Sequence, residues 1–240
     1  MSVRWSRATT PGCAFDAIAR GATPVAGATA LYSQAFAPRI GDTATLLAWP
    51  PAAPSAGGVD ALTTLDALTR GDLPRAVRQA ARAAANPSVR RLATVGGWVS
   101  LRSPASDIAA PLLAVAAHVR VLTAAGSIPV PYRDYLRAGP GEPHLVTSID
   151  FDMPLLRSAY RRIPLRATPG PVLLGVAAAR TPEVTRIAVT AGPHVVVVEA
   201  GADATTDELA EQLRPEFVRV LPRRLIDAAM RVRAVVTDDL

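Results

Sequence analysis

Three apolar runs in the last third of the chain limit the fold more than any other feature. They read "GPVLLGVAAAR", "VTRIAVTAG" and "HVVVVEAG", and turn-forming residues separate them. Short apolar runs divided by turn signals predict a three-stranded antiparallel meander. Two helical segments follow: "ATTDELAEQL", which starts with a capping-box pattern, and an amphipathic stretch that Pro222 kinks or restarts. Strands segregated from helices favour an α+β fold over a Rossmann alternation.

The composition narrows the functional classes. All 26 basic residues are arginine, which together with abundant alanine and proline is typical of a GC-rich bacterial coding bias. The net charge is +6, but the arginines are spread along the chain and do not alternate with aromatic residues, so no nucleic-acid partner is expected. The N-terminus lacks an apolar signal segment, and the run at 108–117 is too short to cross a bilayer. We expect a cytoplasmic protein without membrane contact.

The first two thirds of the chain alternate short helices and strands. A helix closed by Gly21, a strand at 44–49 and a helix at 72–85 capped by Asp72 are predicted, followed by an apolar helix at about 105–117. Strands at 118–123 and 144–151 come next. The change of character after residue 157 predicts two domains, 1–156 and 157–240.

Three short motifs carry candidate chemistry. "VAGATAL" (25–31) and "ATVGGWVS" (93–100) place small residues after apolar ones, so backbone amides can approach a phosphate closely. In "SPASD" (103–107), Ser103 and Ser106 offer hydroxyls and Asp107 a carboxylate near a helix start. Each motif alone is explained equally well or better as a turn or a cap.

In this order, however, the motifs resemble a family. "VAGATAL", "VRRLATVGGWVSLRSPASD", "PYRDYLRAG" and "HLVTSIDF" are similar to the FAD-binding medium subunit of molybdenum hydroxylases of the xanthine dehydrogenase and carbon monoxide dehydrogenase type. The resemblance implies a two-subdomain FAD-binding fold, with the subdomains meeting near residues 50–60, and a small, shortened C-terminal α+β domain. It also implies iron–sulfur and molybdopterin partner subunits and electron transfer through FAD to an acceptor. It covers nearly the whole chain.

The resemblance also assigns cofactor-binding residues. It places FAD between the N-terminal subdomains, with its diphosphate on two glycine-rich loops and its ribityl–phosphate region near "SPASD". The residues that carry over are Ala26, Gly27, Ala28, Thr29, Thr94, Gly96, Gly97, Trp98, Ser103 and Asp107. No catalytic residue carries over, because in such proteins the flavin performs the redox chemistry while the protein positions it.

The chain departs from the family pattern at four positions. Ala28 replaces a glycine, Ala30 an aspartate, Arg91 an asparagine and Trp98 another asparagine. An alanine held at positive φ costs about 1–2 kcal/mol, and each lost hydrogen-bonding group costs about 1–3 kcal/mol if its partner stays buried. Together these losses correspond to roughly two to four decades of affinity. FAD binding is therefore expected to be weak or lost.

Trp98 leaves two interpretations open: its indole stacks on the flavin or adenine, or it fills the space that the cofactor needs. Three functions follow. The first is an FAD-dependent electron-transfer subunit, and the second is a flavin-free scaffold. The third is a stand-alone enzyme that binds a small-molecule substrate in the old cleft, lined by Trp98, Tyr32 and Asp107.

Other candidates are weaker. His118, His144 and His194 lack metal-ligand spacing and are expected to be structural or surface residues. With Cys13 as the only cysteine, no disulfide, cysteine-rich zinc site or iron–sulfur cluster is expected within the chain, and no metal site is predicted. Asp150 and Asp152 flank Phe151, so alternation along the strand argues against a shared carboxylate site. Arg162 or Arg166 is expected to contact a phosphate or a partner's acid, or simply to be solvated.

Overall fold

The computed structural model describes residues 3–32, 40–141, 143–151, 157–165, 172–221 and 223–240. Strands in these ranges form three sheets. The first sheet is parallel and contains β1 (Arg4–Ala8), β2 (Thr23–Val25) and β3 (Thr43–Leu47), in the order β1-β3-β2. Helix α1 (Pro11–Ala19) connects its first two strands; Thr10 caps its start and Gly21, at φ 89°, follows its end. Ala8, Ala14, Trp49 and Leu145 form a small core beneath this sheet.

The second sheet is antiparallel, with the order β4-β7-β5-β6. Its strands are β4 (Gly58–Asp60), β5 (His118–Thr123), β6 (Gly126–Pro131) and β7 (Leu145–Asp150). Six short helices accompany it in the described chain: α2 (Leu65–Leu68), α3 (Arg75–Ala83), α4 (Pro87–Leu92), α5 (Val95–Ser100), α6 (Ala109–Ala114) and α7 (Tyr132–Arg137). Small and branched apolar residues from these helices and strands form one continuous core.

The third sheet is a meander of four strands, one more than predicted. β8 (Arg157–Pro164) joins β9 (Val172–Arg180), β10 (Val184–Ala191) and β11 (His194–Gly201). The sequence "RSAYRRIP" hides this strand because its arginines are polar; Arg161 pairs with Asp239 at 2.7 Å, which satisfies the charge. One face of the sheet packs on α8 (Thr206–Val220) and α9 (Arg223–Asp238), and the other packs on α3 and α6.

Two predicted helices differ from the structure at their ends. The helix predicted at 72–85 spans only Arg75–Ala83, and its N-cap is Pro74, so Asp72 does not cap it. Asn86, just after the predicted helix, caps α4 instead: its side chain accepts a hydrogen bond of 2.9 Å from the Val89 amide. Asparagine followed by proline is a start signal for a helix, and this signal prevails here. The apolar helix predicted at about 105–117 spans Ala109–Ala114, and Ala116, at φ 51°, follows it.

Candidate functional site

The first glycine-containing loop follows β2 at the carboxyl end of the parallel sheet. Ala28 has φ 57°, in the left-handed region that favours glycine. Gly27 is required for a different reason: a Cβ there would lie 1.6 Å from the Leu92 carbonyl oxygen at the end of α4. The backbone amides of residues 27–30 donate to no acceptor among the described residues. This loop, residues 26–30, therefore retains unused hydrogen-bond donors.

The second glycine-containing segment, with the pair Gly96 and Gly97, lies in helix α5 rather than in the predicted loop. Thr94 caps α5 by accepting a hydrogen bond of 3.2 Å from the Gly97 amide. The Gly96 amide donates to the Ala61 carbonyl at 2.9 Å, and the Trp98 amide donates to the Thr94 carbonyl at 3.0 Å. A Cβ on Gly96 would lie 2.6 Å from the Ala61 Cβ. Gly96 thus allows α5 to dock tightly, and these amides already have acceptors within the protein.

The two segments meet at a cavity of about 300 Å³. The start of β7, with His144, Leu145 and Val146, forms another part of its wall. Eight of the ten residues that the resemblance assigned to the cofactor line this cavity: Ala26, Gly27, Ala28, Thr29, Thr94, Gly96, Gly97 and Trp98. Residues 68 positions apart in sequence are therefore brought together at this cavity.

Trp98 forms part of the cavity wall. Its half-buried side chain packs against the central core, so the indole is supported from behind. The remaining space of about 300 Å³ shows that the tryptophan leaves the cavity open. An aromatic wall beside free backbone donors provides an apolar surface on which a planar ring can stack.

His144 is the one titratable side chain among the described residues that line the cavity. Its Nε2 lies 3.0 Å from the Tyr135 hydroxyl, and the two rings meet edge to face with centroids 5.6 Å apart. Burial raises the pKa of Tyr135, and the nearby Ser100 hydroxyl and the positive charge of Arg102 oppose this rise. The sequence predicts a structural or surface role for His144; in the structure it lies just before β7 and lines the cavity.

Ser103 and Asp107 do not line the cavity. Asp107 is 3% exposed, and both of its carboxylate oxygens accept hydrogen bonds from Arg162 Nη1, at 2.9 and 3.0 Å. The Tyr160 hydroxyl donates to the same carboxylate at 3.1 Å. Burial raises the pKa of Asp107, against the opposing effects of Arg162 and Tyr160. Asp107 precedes α6, which packs on the third sheet, so its carboxylate faces β8 rather than the cavity.

The remaining candidates have local partners or lie outside the described residues. The guanidinium of Arg162 pairs with Asp107, and its side chain is 17% exposed. Asp150 pairs with Arg120 at 2.7 Å and accepts a hydrogen bond from Ser148. Asp152, Arg166 and the side chain of Tyr32 lie outside the part of the chain that the structure describes. Within that part, no group of three or more histidine, cysteine, aspartate or glutamate side chains is arranged to hold a metal ion.

A comparison with protein families identifies the middle of the chain. Residues 55–151 match the family described as the FAD binding domain in molybdopterin dehydrogenase. These residues are similar to that family. The matched segment contains α5 and all four strands of the second sheet, with His144 just before β7. The loop at residues 26–30 precedes it, and a comparison with curated protein sequences finds no match for the chain.

Solved structures extend the fold of the FAD-binding domain to the whole chain. A Cu,Mo-CO dehydrogenase in its cyanide-inactivated form is 18% identical with a TM-score of 0.81, covering 100% of this chain and 97% of that one. Carbon monoxide dehydrogenase from Hydrogenophaga pseudoflava is 17% identical with a TM-score of 0.82 and the same coverage. Quinoline 2-oxidoreductase from Pseudomonas putida 86 is 14% identical with a TM-score of 0.74, covering 98% and 95%. The chain therefore has the mixed helix-and-sheet fold of these proteins. None of the helices in the described ranges has the length and hydropathy to span a membrane.

Proposed function

We propose that this protein is the FAD-binding electron-transfer subunit of a molybdenum hydroxylase-like oxidoreductase. It accepts electrons from an iron–sulfur partner subunit, beside a molybdopterin subunit, and passes them through FAD to an acceptor. The observation that carries this proposal is the convergence of the two glycine-containing segments on one cavity. The family that residues 55–151 match supports the choice of FAD.

The residues present fit a flavin nucleotide. The free amides of residues 27–30 are suitable donors for a diphosphate, because small side chains leave the backbone accessible. Trp98 offers a stacking surface, and Thr29 and Thr94 also line the cavity. A cavity of about 300 Å³ is at the lower end of the range for ligand sites, so it would enclose one part of the FAD molecule. When bound, FAD supplies the redox chemistry by accepting and releasing electrons.

The same residues explain why we expect only modest affinity for FAD. Ala28 holds a strained backbone, and no arginine lines the described cavity wall to pair with the diphosphate. The amides of α5 are already occupied within the protein, so the first loop must supply most of the donors. Weak binding does not exclude electron transfer, because partner subunits can retain a cofactor that the isolated chain releases.

A titration of the purified protein with FAD tests the proposal. We expect bound flavin to absorb in the visible range, the fluorescence of Trp98 to be quenched, and the melting temperature to rise with FAD concentration. Trp98→Phe, which retains an aromatic wall, is the matched variant and should bind FAD with similar affinity, whereas Trp98→Ala should bind it less tightly. Absence of both flavin absorbance and a thermal shift at excess FAD would contradict the proposal.

A flavin-free scaffold is the second candidate, favoured by the pairing of Asp107 with Arg162 away from the cavity. A scaffold of this kind would hold a complex of subunits together. A third possibility is a stand-alone enzyme whose cleft binds another small molecule. Co-expression with iron–sulfur and molybdopterin subunits separates these possibilities. A colourless chain in a stable complex supports the scaffold, a tightly held flavin excludes it, and the absence of any complex favours the stand-alone enzyme.

A further inference from the structure

Arginines gather on the surface formed by helices α2, α3 and α4. Six arginines in residues 65–92 form this arginine face: Arg70, Arg75, Arg78, Arg82, Arg90 and Arg91. The same residues contain only two acids, Asp66 and Asp72, so six positive and two negative charges leave this stretch at +4. The net charge of the whole chain is +6. A short part of the chain therefore carries two thirds of its net charge.

Helix α3 presents three of these arginines on one side. Arg75, Arg78 and Arg82 are three and four residues apart, a spacing that places them on the same side of an α-helix. Arg75 and Arg82 are exposed, and Arg78 is half-buried. The opposite side of the helix lies in the central core and consists of small and branched apolar residues: Ala76, Val77, Ala80 and Ala81. The helix thus turns a basic side to solvent.

Arginine side chains also join the three helices into one surface. Arg82 donates a hydrogen bond of 3.0 Å to the carbonyl of Thr69, just after α2. Arg90 of α4 donates to carbonyls at the end of α3, those of Arg82, Ala84 and Ala85. A cation is favourable there because the last carbonyls of a helix lack partners within it. These acceptors are uncharged, so the hydrogen bonds position the guanidinium groups without neutralising them.

The arginine face has few carboxylates of its own. Asp66 pairs with Arg70 at 2.6 Å, and the arginine side chain remains 73% exposed. The side chains of Arg75 and Arg91 are exposed and form no hydrogen bond or ion pair with any residue that the structure describes. The Nε of Arg78 is buried without a hydrogen-bond partner in the same part of the chain. The face therefore presents cations to which carboxylates of another molecule can bind.

One edge of the arginine face lies beside the proposed flavin site. Leu92, the last residue of α4, is 60% exposed. Its carbonyl oxygen is so close to Gly27 that a Cβ there would lie 1.6 Å from it. Gly27 belongs to the loop at residues 26–30, so a protein bound to α4 would lie next to the loop proposed to hold the diphosphate. The exposed leucine adds an apolar contact beside Arg91.

The chemistry of this face favours a protein partner over a nucleic acid or a membrane. Residues 65–92 contain no aromatic side chain on which a base could stack. Leu92 is the one large apolar side chain exposed in these residues, whereas a helix that lies in a membrane surface needs a whole apolar face. Arginine binds carboxylates through two parallel hydrogen bonds and is enriched in protein interfaces.

We propose that the arginine face is the docking surface for an acidic face of the iron–sulfur partner subunit. Carboxylates of that subunit pair with the exposed arginines, including Arg75 and Arg91, and docking brings the subunit next to the loop at residues 26–30. This inference rests on the proposed function, because it assigns where the electron donor of that function binds. Complementary charges mainly accelerate association and set orientation, so binding should depend strongly on salt.

The test measures binding of the purified iron–sulfur subunit to the immobilised chain at low and high salt. We expect the association rate to fall by about tenfold or more between about 50 and about 500 mM salt, because screening weakens steering. Association that does not depend on salt would overturn the inference.

Charge reversal assigns the effect to this face. The double variant Arg75→Glu, Arg91→Glu should bind the iron–sulfur subunit about tenfold or more weakly at low salt. Arg214→Glu, Arg231→Glu is the matched control, since it reverses two exposed arginines of α8 and α9, across the third sheet from α3. Both variants lower the net charge from +6 to +2, so a difference between them reports position. Equal losses, or no loss in the first variant, would overturn the inference.

A milder variant guards against misfolding. Arg75→Gln, Arg91→Gln removes the two charges without reversing them and should weaken binding in the same direction by a smaller factor. Thermal melts show which variants are folded. Full binding by the folded glutamine variant and by the folded glutamate variant would contradict docking at this face.

Two further probes test the class of partner. A short DNA duplex and vesicles that contain phosphatidylserine should each bind the wild-type chain more weakly than the iron–sulfur subunit does. If either probe binds more tightly, and only Arg75→Glu, Arg91→Glu loses that binding, the face serves another class of partner and the inference fails.

Titration of the wild-type chain with FAD separates this inference from the proposed function. Selective loss of iron–sulfur binding in Arg75→Glu, Arg91→Glu, with a wild type that binds no FAD, would support the docking face and contradict the flavoprotein assignment. FAD binding together with docking that ignores the charge reversal would do the reverse. If the wild type binds neither FAD nor the iron–sulfur subunit, both proposals fail.

Discussion

Ala28 shows how a single side chain can leave strain in a candidate site. Replacement of a family glycine was visible in the sequence, but the strain depends on the backbone angle, which only the structure provides. At φ 57° the alanine Cβ crowds the backbone of its own residue, whereas a glycine does not. Gly27, next to it, is fixed by contact with Leu92 rather than by its angles. Glycine is thus favoured at two adjacent positions for different reasons, but the chain has glycine only at position 27.

Ala28→Gly is expected to stabilise the protein. Relief of the left-handed alanine outweighs the greater freedom of glycine in the unfolded chain, for a net gain of about 0.5–1 kcal/mol. The melting temperature should rise by about 2 °C. Ala30→Gly is the matched control, since Ala30 has no positive φ and the same change should lower stability. Equal effects of the two substitutions in a thermal melt would show that the angle at residue 28 is not strained in solution.

At the scale of elements, α5 depends on close contact between its first turn and the residue after β4. A Cβ on Gly96 would meet the Ala61 side chain and carbonyl, at 2.6 and 2.9 Å. On Gly97, the nearest atom would be the Thr94 hydroxyl oxygen, at 3.0 Å. A glycine pair predicts a loop from sequence alone, because glycine disfavours helices. The helix forms regardless, since Thr94 caps it and its own Val95 and Val99 are buried in the central core.

Gly96→Ala is therefore expected to destabilise the protein by about 1–3 kcal/mol through overpacking against backbone. Gly97→Ala, on the exposed side of the same turn, should cost much less because helix propensity favours alanine there. Urea denaturation of both variants measures the difference. A loss for Gly97→Ala as large as that for Gly96→Ala would refute tight docking of α5 on Ala61.

The buried carboxylate of Asp107 joins the segment before α6 to β8. Asp107→Ala would leave the Arg162 guanidinium and the Tyr160 hydroxyl without this acceptor, and we expect a loss of about 3 kcal/mol. Asp107→Asn retains the shape and one acceptor oxygen, so it should cost less. Chemical denaturation at neutral pH tests this order. The reverse order would show that the hydrogen bonds from Arg162 and Tyr160 to Asp107 do not stabilise the fold.

Asp107 also predicts a dependence of stability on pH. Its pKa is raised in the folded protein, so the folded state holds the proton more tightly than the unfolded chain does. The stabilisation from this proton is complete below the ordinary value of 3.8 and is lost as pH rises through the folded pKa. Relative to Asp107→Asn, the wild type should therefore lose free energy of unfolding as pH rises through this range. If the wild type instead gained stability relative to Asp107→Asn over this range, a raised pKa of Asp107 would be contradicted.

At the scale of the whole molecule, the third sheet completes the central core. Tyr160, Ala177, Ala179 and Ala188 belong to the same buried cluster as residues from the first two thirds of the chain. Apolar patterning predicted β9, β10 and β11, because both faces of that sheet are covered and the runs are nearly continuous. It failed at β8, where Arg161 and Arg162 find acids that are distant in sequence, at Asp239 and Asp107. The pairing of Asp107 with Arg162, which the sequence pattern does not reveal, also explains why Asp107 lies outside the cavity.

The shared core predicts that the two proposed domains are not independent. Expression of residues 1–156 alone should expose apolar surface on α3 and α6 that the third sheet covers, so the fragment should aggregate or lack tertiary packing. Near-ultraviolet circular dichroism and thermal melts measure this, with the full chain as the control. A cooperative melt of the fragment would indicate that the first proposed domain folds alone.

The strain at Ala28 can be removed by a very small change in the gene. Every alanine codon differs from a glycine codon by one nucleotide, so relief of this strain is accessible to a single point mutation. The change from glycine to alanine is equally short. The strained loop is therefore not separated by any long mutational path from an unstrained one, and a population of such genes can pass between them in either direction.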